Sequence, residues 1–342
     1  MNTKKPITVI PVIDFAAYFS DERQEKEHLA KQLHTACKDI GFFYLENHGV
    51  SKQLIGDIFK QAKALFSLPE KEKMAMHVKH SKAQRGYFPA MEENTNKATY
   101  DLKEGFDMSR DLPEDHVNVR KGLTFYGPNV YPESLPSFKP VLDAYYNEMW
   151  KLGTRLLNVF AIALGLPETF FDDKVNDPMA QLRLLHYPPH HKRKNSNVLS
   201  CGEHTDYGCI TILYVDNVSG LQLKDKTGNW IDVPSLADKF IINIGEIMER
   251  WTNGLYSATE HRVPDNGGLD RYSVPFFFDP NHEAMIECIP TCISASNPPK
   301  YKPVKASDYL AGRFDDSFSY RKDKTLSGAT SGQSVISVPK HE

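Results

Sequence analysis

The stretch "CGEHTDYGCI", residues 201–210, decides how this chain is read. It sets His204 and Asp206 two apart, just before "CITILYV" (209–215), an apolar, β-branched run of strand character. Alone the pair carries little weight, because 13 histidines and 44 acidic residues among 342 positions give between one and two H-x-[DE] matches by chance. Strand geometry adds weight: residues i and i+2 face the same side, so His204 and Asp206 are expected to project together into a barrel mouth. A further imidazole is available in "SATEHRV" (257–263), where His261 has strand-like flanks and lies 55 residues beyond Asp206, far enough for several intervening strands. Two imidazoles and one carboxylate on one face of an octahedron leave three positions open. That donor set suits iron(II) and oxygen chemistry better than a closed structural zinc site.

A second constellation follows in "DRYSVPFF" (270–277), where Arg271 and Ser273 are again i and i+2. A guanidinium buried in an apolar strand is costly unless it meets an anion. The far carboxylate of a dicarboxylate is a suitable guest, forked by Arg271 and hydrogen-bonded by Ser273, and Tyr187 in "LLHYPP" (184–189) can donate to the same end. Alternation along Gln181, Arg183, Leu185 and Tyr187 turns Arg183 the same way as Tyr187. Two readings of Arg183 stand: it anchors an anionic group of a substrate, or it pairs with a neighbouring acid.

Composition bounds the partners. The 41 basic and 44 acidic residues nearly balance, so no global field draws in nucleic acid or an anionic membrane, and a small-molecule substrate is expected instead. Five scattered cysteines without a C-x-x-C pair argue against a disulfide framework or a zinc ribbon and point to a reducing, cytoplasmic setting. Pro11 and Asp14 interrupt the early apolar run, which does not read as a signal peptide, and no stretch has the length of a membrane span. A monomer is expected.

The chain divides by periodicity. Leu29, Leu33, Ala36 and Ile40 mark a helix over 25–40; a second follows Ser51, read as its cap; and Leu142, Tyr146, Met149, Leu152, Leu156 and Phe160 mark the longest, over 140–164, closed by Gly165. Residues 76–135 read as loops around short elements. From residue 180 onward short β-branched or aromatic runs recur between turn signals, the pattern of a double-sheet jelly roll rather than a parallel α/β sheet. The organisation expected is an N-terminal helical and strand region (1–110) of the same fold unit, a long helix with its connections (111–175), a jelly-roll core (176–300), a C-terminal helix (301–322) and a disordered tail (323–342).

With His204-Thr205-Asp206, His261-Arg262-Val263, Arg271-Tyr272-Ser273 and Tyr187-Pro188 in this order, the sequence resembles the iron(II)/2-oxoglutarate-dependent dioxygenases of the isopenicillin N synthase-like family. "IPVIDF" (10–15), "GFFYLENHGV" (41–50), "FSLPEKEK" (66–73), "NIGEIMERWTNG" (243–254) and "SDYLAGRF" (307–314) extend the likeness over most of the chain. The resemblance implies a mainly β fold, a double-stranded β-helix framed by helices. It implies His204, Asp206 and His261 as iron ligands, and Arg271, Ser273 and Tyr187 around the distal carboxylate of 2-oxoglutarate. It implies use of O2 to oxidise an unactivated C–H bond, by hydroxylation, desaturation or cyclisation, with release of succinate and CO2. Leu185 stands where plant members often carry Asn, which separates this chain from those enzymes.

Two competing readings remain at this level. An iron oxidase of the isopenicillin N synthase type needs no 2-oxoglutarate and can use an Arg-x-Ser pair for a substrate carboxylate. A jelly-roll binding module without catalysis would not require an open metal triad. Candidate substrate-pocket residues are Arg183, Tyr87, Phe88, Met248 and Phe277, the last four as an apolar wall or as core. His190 and His191, between two prolines and a basic run, read as solvated loop residues.

Overall fold

The computed structural model describes residues 10–93, 100–189 and 198–317; the readings of His190, His191 and the 323–342 tail fall outside them. Two sheets face each other. The larger has eight strands in the spatial order Val12–Asp14, Phe42–Glu46, Phe240–Ile244, Ile210–Val215, Arg271–Phe278, Gln181–Tyr187, Glu104–Met108 and Gly86–Phe88. The smaller runs Trp230–Val233, Leu221–Lys224, His261–Val263 and Cys201–His204. Between residues 201 and 278 the chain passes repeatedly from one sheet to the other, which is the winding of a double-stranded β-helix. Every pairing in the two sheets is antiparallel except that of Val12–Asp14 with Phe42–Glu46. The fold is therefore mainly β with a helical frame, as the spacing of the strand segments predicts.

The frame follows the apolar periodicity. The longest helix, Phe138–Ala163, buries the expected stripe of Leu142, Tyr146, Met149, Leu152, Leu156 and Phe160. Each such side chain contributes about 1.5–3 kcal/mol when removed from water. The helix ends where Gly165 adopts φ +72°, with Leu166 N–H donating to Ala161 O and Gly165 N–H to Ile162 O, a Schellman closure. The first two helices span Arg23–Asp39 and Lys52–Phe66; Ser51 occupies the N-cap position of the second, but its side chain makes no capping bond. The C-terminal helix begins at Ala306 rather than 301 and runs to Ser317, where the described residues end.

Within residues 76–135 the short elements include two strands: Gly86–Phe88 and Glu104–Met108 pair in turn onto Gln181–Tyr187 and complete one edge of the large sheet, a position their local pattern does not announce. Strands of three and five residues carry too few alternations to be read from periodicity, and the Gln181–Tyr187 strand onto which Glu104–Met108 pairs lies 74–82 positions further along the chain.

The long helix meets the large sheet closely at Gly153, where a β-carbon would come within 2.6 Å of the Phe278 ring. Gly153→Ala should therefore destabilise the protein by about 1–3 kcal/mol through overpacking, despite alanine's better helix propensity. A thermal melt in which this variant matched or exceeded the parent would contradict that packing.

Candidate active site

His204 ends its strand in the small sheet directly opposite His261, the first residue of the neighbouring strand, with ring centroids 4.2 Å apart. Asp206 is reached differently from the expected alternation. The strand stops at His204, and Asp206 lies in the connection that carries the chain to Ile210–Val215 in the large sheet. That crossing is strapped to the start of the short helix Glu246–Trp251: Glu246 N–H donates to Asp206 O at 2.9 Å, Ile247 N–H to Gly208 O at 2.9 Å, and Gly245 N–H to Cys209 O at 3.0 Å. Gly245 allows this approach, since a β-carbon there would sit 2.3 Å from Gly208 O.

The donor atoms converge. Asp206 Oδ1 lies 3.8 Å from His204 Nε2 and 3.6 Å from His261 Nε2, and the three candidate ligand atoms are all within 4.8 Å of one another. Each histidine turns Nδ1 to a backbone carbonyl, Gly202 O at 2.9 Å and Thr259 O at 3.1 Å, so Nδ1–H donates and Nε2 keeps its lone pair. Asp206 Oδ2 is occupied separately, accepting from Thr211 Oγ1 at 2.5 Å and Asn243 Nδ2 at 2.6 Å, which leaves Oδ1 to face the imidazoles. Burial and the neighbouring His204 push His261 down to about 4, so its ring is neutral at pH 7. Burial alone would raise the Asp206 carboxyl, but the two histidines and its two hydrogen bonds outweigh that and hold it below the ordinary range. A neutral imidazole at His261 beside an ionised carboxylate suits a divalent metal.

The Arg271 constellation lines the same cavity as the triad. Arg271 is 2 % exposed; its Nε donates to Val218 O at 3.2 Å, its guanidinium lies 4.7 Å above the Tyr187 ring, and its Nη1 has no partner. Tyr187 stands opposite Arg271 in the sheet, and Ser273 lines the same cavity beside it. A buried guanidinium nitrogen without an acceptor is costly, and a carboxylate from a bound ligand would satisfy it. The donor set and this orphaned nitrogen both fit iron and 2-oxoglutarate.

The family models agree: residues 10–134 match the non-haem dioxygenase in morphine synthesis N-terminal model and residues 178–280 the 2OG-Fe(II) oxygenase superfamily model. The chain is 33 % identical over 326 residues to a 2-oxoglutarate-Fe(II) type oxidoreductase of Emericella nidulans, covering 92 % of this chain and 93 % of that protein. This chain belongs to the 2OG-Fe(II) oxygenase superfamily. Among solved structures it resembles a full-length Neurospora crassa protein in complex with alpha-KG and thymine, with TM-score 0.80 and 29 % identity over 90 % of this chain and 97 % of that one. It also resembles a 2OG-Fe(II) oxygenase family protein of Caulobacter crescentus, with TM-score 0.79 and 32 % identity over 90 % and 99 %. The oxygenase is thus an iron(II)- and 2-oxoglutarate-dependent oxidoreductase acting with O2 on a small molecule and releasing succinate and CO2. These relatives favour it over the 2-oxoglutarate-independent oxidase and the binding module. Among the described residues no helix is long and apolar enough to cross a membrane.

The expected substrate residues divide. Phe277 lines the cavity, whereas Tyr87, Phe88 and Met248 are core, Tyr87 donating its hydroxyl to Glu104 Oε2 at 2.6 Å. Arg183 lines the cavity too, but its guanidinium forks Asp107 at 2.6 and 2.9 Å and meets Glu93 at 2.8 and 3.1 Å, so the anchor reading gives way to the ion pair. Lys103 extends this buried group to Glu93 at 3.2 Å and Asp101 at 2.5 Å. Burial would raise the Glu93 carboxyl, yet Arg183 and Lys103 hold it at about 2. The sequence offers a neighbouring acid as one partner for Arg183 but does not name Asp107 and Glu93, which lie 76 and 90 positions away. Sequence reasoning also missed Thr211, Asn243 and Asp279; continuing the alternation of Arg271, Ser273, Pro275 and Phe277 by one step would have found Asp279.

Two outcomes follow from these contacts. Asn243→Ala leaves Asp206 Oδ2 with Thr211 as its one remaining donor among the described residues and should weaken iron(II) binding about 10–100-fold without unfolding the chain; unchanged affinity in anaerobic titration would refute the role given to Asn243. In metal-free protein, burial and nearby Asp206 push Asp279 up to about 7. A carboxyl raised above its unfolded value near 4 binds a proton on folding, so stability is lost as pH rises from about 4 through about 7, by up to about 4 kcal/mol. Asp279→Asn should therefore raise the melting temperature of metal-free protein more at pH 8 than at pH 5, and an equal change at both would count against it.

Proposed function

We propose that in this oxygenase His204, Asp206 and His261 hold the iron, and that Arg271, Ser273 and Tyr187 receive the distal carboxylate of 2-oxoglutarate. The unpartnered, buried Nη1 of Arg271, in the same cavity as the convergent triad, is the observation that carries this reading. Bound iron and 2-oxoglutarate supply the oxidising power, drawn from O2 and from decarboxylation to succinate, that attacks a substrate C–H bond.

The chain's own residues orient and enclose. Gly202 O and Thr259 O fix which imidazole nitrogen each histidine presents, and Thr211 with Asn243 fixes which oxygen Asp206 presents. Arg271 sets the direction of the cosubstrate by a two-point fork that a lysine would not reproduce. Leu310 and Phe314 of the Ala306–Ser317 helix and Phe277 of the large sheet give the cavity apolar walls, which exclude water from a reactive centre. Hydroxylation is the default outcome, and a different substrate pose would turn the same oxidation to desaturation or ring closure. The near balance of charge and five free cysteines, four of them buried, support a monomer working in the reducing cytoplasm without nucleic-acid partners.

Arg271→Leu should raise the 2-oxoglutarate KM by at least about 30-fold, in keeping with the loss of a charge-assisted hydrogen-bond pair. Iron(II) affinity, measured anaerobically, should stay within a factor of two or so of the parent, since Arg271 offers the metal nothing. A variant that coupled succinate formation at unchanged 2-oxoglutarate KM would remove Arg271 from the site.

A further inference from the structure

The strand Arg271–Phe278 points Arg271, Ser273, Pro275 and Phe277 into the cavity, and the next residue on that face is Asp279, just past the strand end. Asp279 is 5 % exposed, and its Oδ1 has no hydrogen-bond partner among the described residues. Position 208 is kept clear for it, since a β-carbon on Gly208 would fall 1.8 Å from that oxygen. Across the strand pair, Gln181 stands opposite Phe277 and therefore diagonal to Asp279. The Gln181 side chain is 6 % exposed, lines the cavity and makes no hydrogen bond within the described residues. Diagonal neighbours on one face lie about 7–8 Å apart, a gap that one small polar group spans.

Charge narrows what that group can be. Of the cavity's bases, Arg271 belongs to the cosubstrate, while Lys103 and Arg183 are neutralised by three acids, Asp101, Glu93 and Asp107. Among the described residues at this end of the cavity, no basic side chain is left to meet an anion, and one carboxylate oxygen waits for a donor. A buried primary amide offers both N–H and C=O.

We propose that Gln181 and Asp279 form the substrate-recognition pair of this oxygenase, selecting a neutral ligand with an amide-type edge whose N–H donates to Asp279 while its carbonyl accepts from Gln181. The proposal rests on the assignment of Arg271 to 2-oxoglutarate, which leaves this opposite end of the cavity to substrate. Burial pushes Asp279 up to about 7, so at about pH 8.5 it is ionised and a carboxylate of the same shape is rejected there, because it would bring a second negative charge against Asp279 with no cationic side chain at this end to offset it.

Equilibrium dialysis under anaerobic conditions at about pH 8.5, with iron(II)- and 2-oxoglutarate-loaded protein, compares benzamide with its isosteric anion benzoate. Benzamide should be retained at least about tenfold more tightly than benzoate, the difference of roughly one charge-assisted hydrogen bond. Asp279→Asn and Asp279→Ser should bring the ratio toward one by admitting benzoate, and Gln181→Leu should weaken benzamide about tenfold, the scale of one lost buried hydrogen bond. 2-Oxoglutarate affinity, measured in each variant, should not move and certifies a folded site. Benzoate retained as well as benzamide, neither probe retained, or a ratio unmoved by the variants would overturn the pairing while leaving the Arg271 assignment intact. Failure of the parent to bind 2-oxoglutarate would overturn both.

Discussion

The Asp206 carboxylate is the constraint on which the rest of the site depends. It is a buried anion at the point where the chain leaves one sheet for the other, and both its oxygens are committed: Oδ2 to Thr211 and Asn243 in the large sheet, Oδ1 toward the two imidazoles of the small one. A charge in that position is tolerable only if the groups around it are fixed in advance. The crossing strapped to Glu246, the glycine at 245 and the opposed pair His204 and His261 all serve that end.

The helical frame is tied to the same point. Thr205, between the two candidate ligands, donates to Glu246 Oε1 at 2.6 Å, and Glu246 also receives Arg313 Nη2 at 2.7 Å and the Tyr309 hydroxyl. Tyr309 and Arg313 lie on the helix whose Leu310 and Phe314 wall the cavity. One carboxylate thus joins the cavity wall to the metal-binding turn, so a displacement of either is felt by the other.

On the opposite flank, the buried group Asp101, Lys103, Glu93, Arg183 and Asp107 does comparable work for the His204 strand. Asp101 Oδ1 accepts from Gly202 N–H at 2.8 Å, and Lys103 reaches Cys201 Sγ at 3.4 Å. The N-terminal third of the chain therefore supports the strand that carries His204 and also neutralises two bases that face the cavity. The two ends of the cavity differ in which cations remain available, Arg271 at one and none at the other among the described residues.

Local periodicity already sets the helical stripe of Leu142 to Phe160 and the run of short strands after residue 180, because 3.6- and 2-residue periods are properties of neighbours along the chain, while family-like motifs single out His204, Asp206, His261, Arg271, Ser273 and Tyr187, which the structure brings to one cavity. The sequence by itself did not determine that Asp206 sits in a sheet-to-sheet crossing rather than on the His204 strand, that Arg183 is neutralised by Asp107 and Glu93, or that Gln181 and Asp279 stand diagonal at the far end of the cavity. Those are contacts between residues tens of positions apart, and no local pattern encodes which acid meets which base. Only the closing of the two sheets sets those distances, and with them which charges are spent inside the protein and which are left for a ligand.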